Sequence, residues 1–203
     1  MFGAAEYGYI MQGTIMANLF YLIGASGAGK DSLMQYMRKE IPASAPVVFA
    51  HRYITRSADA GGENHVALRV PEFLLRKKLG CLAMSWYSHE THYGIGIEIN
   101  AWLSLGLDVV VNGSRGYLAE AARQYPNLIP VLITVDSDVL LARLRSRGRE
   151  TEEQISKRIH QAIELEKNIS HPALLKIGND GLLQDAGKRL LDAVLYRVTE
   201  ECV

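Results

Sequence analysis

Cysteine is scarce in this chain: of 203 residues only Cys81 and Cys202 are cysteines, far apart and without metal or redox spacing. That suits a reducing compartment, with both thiols structural or incidental. An excess of one charge is missing too. Lys plus Arg number 22 and Asp plus Glu number 22, so the formal net charge is zero. Such a balance argues against a general nucleic-acid or membrane-surface binder, and any anion site must come from local clustering of cations. No apolar stretch reaches the roughly 18 residues of a membrane span. The first 17 residues lack a basic segment followed by an apolar core, so a secretory leader is not expected. His65, His89 and His92 have no metal-ligand spacing. The expectation is a cytoplasmic protein with no nucleic-acid or membrane partner. Residues 1–17 are expected as a poorly ordered extension, with Met11 or Met16 as alternative starts, and 18–203 as one domain.

What is present is an alternation of short apolar runs and helical patterns. Candidate strands are 18–23, 47–54, 81–87, 107–112, 129–135 and 174–178. Candidate helices are 30–40, 71–78, 97–105, 115–124, 137–147, 151–168 and 182–198. The Val/Ile/Leu-rich runs 107–112 and 129–135 read as strands buried on both faces. Strand and helix in alternation predict an α/β fold, a parallel sheet flanked by helices. Residues 50–96 are less regular, with two strand-like stretches, and read as an insert folded over the sheet edge.

The sharpest motif is Gly24-Ala25-Ser26-Gly27-Ala28-Gly29-Lys30, set directly after the apolar run 19–23 and before an amphipathic stretch. It fits G-x-x-x-x-G-K, the loop whose backbone N–H groups wrap a triphosphate while its lysine reaches the β and γ phosphates. The glycines permit close phosphate approach, and the helix behind adds a positive dipole end. ATP is the expected ligand. The next residue should be Ser or Thr, whose hydroxyl ligates Mg²⁺; here it is Asp31. A carboxylate is a good hard-oxygen ligand, so Asp31 is the candidate for Mg²⁺, directly or through water. Complementing the helix dipole is its plainer alternative.

Cations cluster in two further places. Arg52 and Arg56 lie four apart in a strand-like context, which puts both on one face and lets them converge on a phosphate; two surface arginines on an edge strand would look the same. The run Arg143-Leu144-Arg145-Ser146-Arg147-Gly148-Arg149 precedes a helix with Arg158. A glycine-broken arginine cluster between helices suits a lid, at about 143–160, that closes over moving phosphates. Arg147 and Arg158 are its catalytic candidates, and Arg143 and Arg145 include at least one expected surface residue. Asn112 and Arg115 lie at the end of a buried strand, where α/β proteins place ligands, and are candidates for binding the substrate. Asn179 is either a nucleotide-base contact or a turn residue.

With this loop, Thr55-Arg56, His92-Tyr93-Gly94 and Arg147-Gly148…Arg158 in one order, the chain resembles the guanylate-kinase-like family of P-loop kinases over about residues 18–198. The resemblance aligns Arg56 and Tyr93 with that family's acceptor-phosphate contacts. It also exposes departures. The guanine-reading glutamate falls at Met84 or Ser85, the two acids of a D-x-D motif are replaced within residues 111–115, and a serine has become Arg52. Unread purine donors would cost discrimination, so a smaller acceptor with an additional phosphate is expected. The stretches 24–32, 50–56, 62–65, 93–99 and 111–115 are similar to the ribose 1,5-bisphosphate phosphokinases, the phosphonate-degradation branch of the family. That resemblance implies ATP-dependent phosphorylation of ribose 1,5-bisphosphate to 5-phospho-α-D-ribose 1-diphosphate. A guanylate or other nucleoside-monophosphate kinase, and an inert interaction module, are the alternatives; a homodimer is left open.

Overall fold

The computed structural model describes residues 17–57, 65–148 and 151–200. The expected extension, apart from Ala17, lies outside the described residues, as do 58–64 of the insert, including most of the 62–65 stretch, and Arg149-Glu150 of the lid.

Two sheets organise the chain. Strands β1 (Leu19–Gly24), β2 (Val47–Phe49), β7 (Asp108–Asn112), β8 (Leu128–Thr134) and β9 (Leu175–Gly178) form a parallel sheet in the order β2-β7-β1-β8-β9. The smaller sheet, β4-β3-β6-β5, comprises β3 (Arg52–Ile54), β4 (Val66–Ala67), β5 (Leu82–Ser88) and β6 (Thr91–Gly96), with β3 and β5 antiparallel to β6. The helices are α1 (Lys30–Glu40), α2 (Val70–Lys78), α3 (Glu98–Ser104), α4 (Leu118–Gln124), α5 (Ser137–Arg147), α6 (Glu152–Lys167) and α7 (Leu183–Glu200). Among the described residues no helix is long and apolar enough to cross a membrane.

The core strands carry apolar residues on both faces because helices cover both. Phe20 and Leu22 pack with Leu33 and Met37 of α1, Leu144 of α5 and Leu190 of α7. Leu19, Tyr21 and Ile23, of opposite parity, pack with Val109, Val111, Ile99 of α3, Leu118 of α4 and Met84 and Ile95 of the small sheet. Burial of both parities is what a continuous rather than alternating apolar run requires.

One expected strand is two. Residues 47–54 were read as continuous, but Val47–Phe49 pairs with β7 and Arg52–Ile54 pairs with β6. The core ladder ends where Ala50 N–H donates to the Val110 carbonyl. Beyond it come His51 and Arg52, polar groups that a helix-covered sheet would have to desolvate. The chain therefore leaves the core and starts a second sheet. Strand β6 was not anticipated as a strand, since Thr-His-Tyr-Gly-Ile-Gly is short and glycine-interrupted. The helix read at 115–124 opens as a 3-10 turn, Arg115–Tyr117, before α4.

Candidate active site

Every motif at the core sheet lies at the carboxyl ends of its strands: the loop after β1, Asn112 ending β7, Asn179 just after β9. Within the loop, Gly27 (φ 100°) and Gly29 (φ 90°) have left-handed backbone, and a Cβ on Gly29 would collide with the Asn179 amide. Lys30 folds back over the loop, its Nζ donating to the carbonyls of Gly24 at 2.9 Å and Ala25 at 3.1 Å. The ammonium and the N-terminal end of α1 so face the same loop. Ser32 is exposed, whereas the Asp31 carboxylate accepts a 2.7 Å hydrogen bond from Asn112 Nδ2.

Beneath the loop sits a brace. Asn179 is buried, and its Nδ2 donates to the Ala28 carbonyl at 2.7 Å. Its own carbonyl accepts from Arg143 Nη2 at 2.7 Å. Asn179, expected either at a base or in a turn, is thus bonded to the loop's own backbone. Arg143, passed over in favour of Arg147, lies half-buried beside Gly29, and its Nη1 is buried with no hydrogen-bond partner. A signal for it existed: Arg143 and Arg147 are four apart on α5, hence on one face.

Across the cleft, the small sheet presents a ladder. The Arg52 guanidinium lies 5.2 Å from the Tyr93 ring centroid, Tyr93 stacks on Trp86 at 5.7 Å and 6°, and Trp86 meets Tyr117 at 5.8 Å. Arg52 and Tyr93 are therefore brought together, held by Trp86 and Tyr117, which motif reading had not assigned a role. Below them Tyr21 is fully buried; its hydroxyl accepts from Ser114 N–H at 2.9 Å and donates to the Ser114 carbonyl at 3.1 Å. Burial pushes this phenol far above its ordinary range, with the Ser114 bond and the Arg52 charge pulling the other way. Gly113 lies so close to the Tyr21 ring that a Cβ there would enter it, which seats the end of β7.

Arg56 does not share a strand face with Arg52: that face requires a strand through residue 56, but β3 ends at Ile54. What positions Arg56 is its neighbour: Thr55 N–H donates to the His92 carbonyl and His92 N–H donates to Thr55 Oγ1. Arg115 turns toward α6, its Nη1 donating to the Ala162 carbonyl at 3.3 Å. Burial lowers its guanidinium pKa, with Glu166 opposing that shift. Gly148 (φ 60°) terminates α5. Thr151 and Gln154 cap α6 reciprocally. Arg147 is exposed at the end of α5, and Arg158 is half-buried on α6. Arg145 is exposed as well and is paired with Glu152 at 2.6 Å.

No protein-family model matches the chain. Ribose 1,5-bisphosphate phosphokinase PhnN of Thiobacillus denitrificans is 54% identical over 85% of this chain and 90% of its own length. The protein of the same name from Desulfomicrobium baculatum is 51% identical over 89% and 95%. This chain belongs to the ribose 1,5-bisphosphate phosphokinase family. A guanylate kinase from Anaplasma phagocytophilum, at 13% identity, superimposes with a TM-score of 0.67 over 89% of this chain and 86% of that one, which shows a shared P-loop α/β fold.

Within a phosphokinase of this family, the departures from guanylate kinases have a physical form. Met84 is 1% exposed, packed with Ile95 and Val111 in the core, and Ser85 pairs with Gly94. Neither supplies a carboxylate for a purine. Among the described residues no three His, Cys, Asp or Glu side chains gather as an all-protein metal cage. The single carboxylate of Asp31 with the amide of Asn112 suits Mg²⁺, which usually takes one or two carboxylates plus substrate phosphates.

Proposed function

We propose that this chain transfers the γ-phosphoryl group of ATP to the 1-phosphate of ribose 1,5-bisphosphate, giving 5-phospho-α-D-ribose 1-diphosphate. One observation supports this reading above the others: the acceptor face carries an arginine stacked on an aromatic ladder, with a buried methionine where a guanine reader needs an acid. The nucleophile is an oxygen of the sugar 1-phosphate, largely ionised near pH 7 because a phosphate monoester's second pKa is about 6. No general base is required, so catalysis reduces to bringing two anions into line and neutralising the transferring group.

Lys30 and the loop amides take the β and γ phosphates. Asp31, steadied by Asn112, is the protein's side of the Mg²⁺ site, and Mg²⁺ supplies charge neutralisation on the phosphate oxygens when bound. Arg147 and Arg158 close over the γ-phosphoryl group. Arg52, Arg56 and Tyr93 hold the acceptor, whose two phosphates carry roughly −3 to −4 together. Arg115 ties the acceptor end of β7 to the lid helix through Ala162.

A coupled assay offering ribose 1,5-bisphosphate and GMP side by side tests the reading. ATP consumption with the bisphosphate and none above background with GMP is expected. Faster turnover of GMP would overturn the substrate assignment, and no ATP consumption with either would overturn the enzyme.

A further inference from the structure

Asn112 carries an unusual electrostatic pattern for so buried a side chain. It is 2% exposed and ends β7, in register with Leu22 of the neighbouring β1. Its Nδ2 donates to Asp31 Oδ1 at 2.7 Å, while its Oδ1 is buried with no hydrogen-bond partner. The orientation of the amide follows from chemistry: an ionised carboxylate only accepts, so the NH₂ group must face Asp31 and the oxygen must face the other way. A buried orphan acceptor is costly unless a ligand supplies the donor.

P-loop proteins ordinarily hold their metal with a neutral loop hydroxyl and an acid at a strand end. Here the loop position is Asp31, and the strand end is the neutral Asn112. We propose that acid and neutral oxygen have exchanged places in this metal site, with Asn112 as the positioning residue. Its amide nitrogen fixes the Asp31 carboxylate for the cation. One negative charge is kept in the site, only relocated by one strand. A second acid at 112 beside Asp31 would set two anions at hydrogen-bonding distance, which explains an amide there. The inference rests on the reading of this loop as a Mg·nucleotide site and is independent of the acceptor.

Its test uses the full chain with ADP and no acceptor, so that an error in the sugar substrate cannot affect it. Mn²⁺ binding to the protein–ADP complex is read by electron paramagnetic resonance, and ADP affinity is measured with and without Mg²⁺. Asn112→Ala is expected to weaken Mn²⁺ by about 10–100-fold, the usual loss for a residue behind a ligand, with metal-free ADP affinity unchanged. Asp31→Ser should do at least as much. The reciprocal exchange Asp31→Ser/Asn112→Asp, nearly isosteric at the buried position, should recover most of the metal affinity. Wild-type Mn²⁺ binding by Asn112→Ala, or a double variant no better than Asp31→Ser alone, overturns the proposal. Loss of ADP binding by the wild-type chain would instead overturn the nucleotide reading on which it stands.

Discussion

The proposed donor and acceptor sides use the same chain in different ways. On the donor side, backbone geometry makes the site. The loop after β1 is clamped from below by Asn179 on the Ala28 carbonyl and by Lys30 across Gly24 and Ala25, and its glycines leave no room for a Cβ. The acceptor side is made of side chains. Arg52, Tyr93 and Trp86 of the small sheet and Tyr117 of the turn after β7 form a stacked ladder, whose Trp86 and Tyr117 pack against the core while Arg52 and Tyr93 lie outside it. Backbone geometry cannot be edited residue by residue, whereas a side-chain ladder can. The parallel core and its loop are shared with a guanylate kinase at 13% identity, so the fold itself does not choose the acceptor, and the choice falls to side chains.

The largest expected effect breaks the donor side. Lys30→Ala removes the one side-chain cation of the loop and should lower kcat by about 10²–10³-fold, as loss of a preorganised charge donor does. Steady-state kinetics with both substrates varied would show the drop independent of acceptor concentration. On the acceptor side, Arg56→Ala and Arg52→Ser each remove a charged hydrogen-bond donor worth about 1.5–3 kcal/mol. The expected loss is about 10–100-fold in kcat/KM for the bisphosphate, with the KM for ATP nearly unchanged. If either variant raised the KM for ATP instead, the division between the two sides would fail.

Legibility followed the same division. Gly24 to Lys30 was readable because one short motif encodes a backbone shape. The core strands were readable because burial on both faces leaves continuous apolar runs. On the acceptor side Arg52 and Tyr93 could be named, but not the geometry that joins them. Ala50-His51 redirects the chain from one sheet to the other with no local punctuation, so 47–54 looked like one strand. The strand face that would join Arg56 to Arg52 ends two residues before it, and its backbone is held by Thr55 bridging to His92 and by His65 at the Arg56 carbonyl. Trp86 and Tyr117 are far apart in sequence and join only through the stack. Arg143 and Arg145 were indistinguishable by type. The structure separates them by where α5 points: one under the loop, the other against Glu152.

A smaller perturbation probes what connects the two sides. Tyr21→Phe leaves the ring that seats Gly113 and deletes only the hydroxyl bonded to both Ser114 backbone groups. A loss of about 1 kcal/mol is expected, seen as a Tm lower by about 2–4 °C. Alkaline stability should change as well. The folded phenol stays protonated where an unfolded tyrosine ionises, near pH 10. Above that pH the folded chain binds more protons than the unfolded one, and stability falls with pH. Removing the phenol makes that fall shallower, which denaturant titrations at pH 9 to 11 would register.

The smallest expected effect sharpens the lid. Arg145 and Arg147 sit two apart near the end of α5, and both are exposed. Arg145 is already paired with Glu152, whose carboxyl is held below its usual range by that hydrogen bond. A fully solvated pair of this kind is screened by salt and adds little to stability. Arg145→Ala is expected to leave both turnover and Tm unchanged within error, in low and high salt alike. Arg147→Ala, beside the C-cap glycine Gly148, should lower kcat while Tm stays the same. Equal losses in the two variants would mean that the cluster acts only through its summed positive field. A loss confined to Arg147 is what a lid that places one guanidinium on the moving phosphoryl group requires.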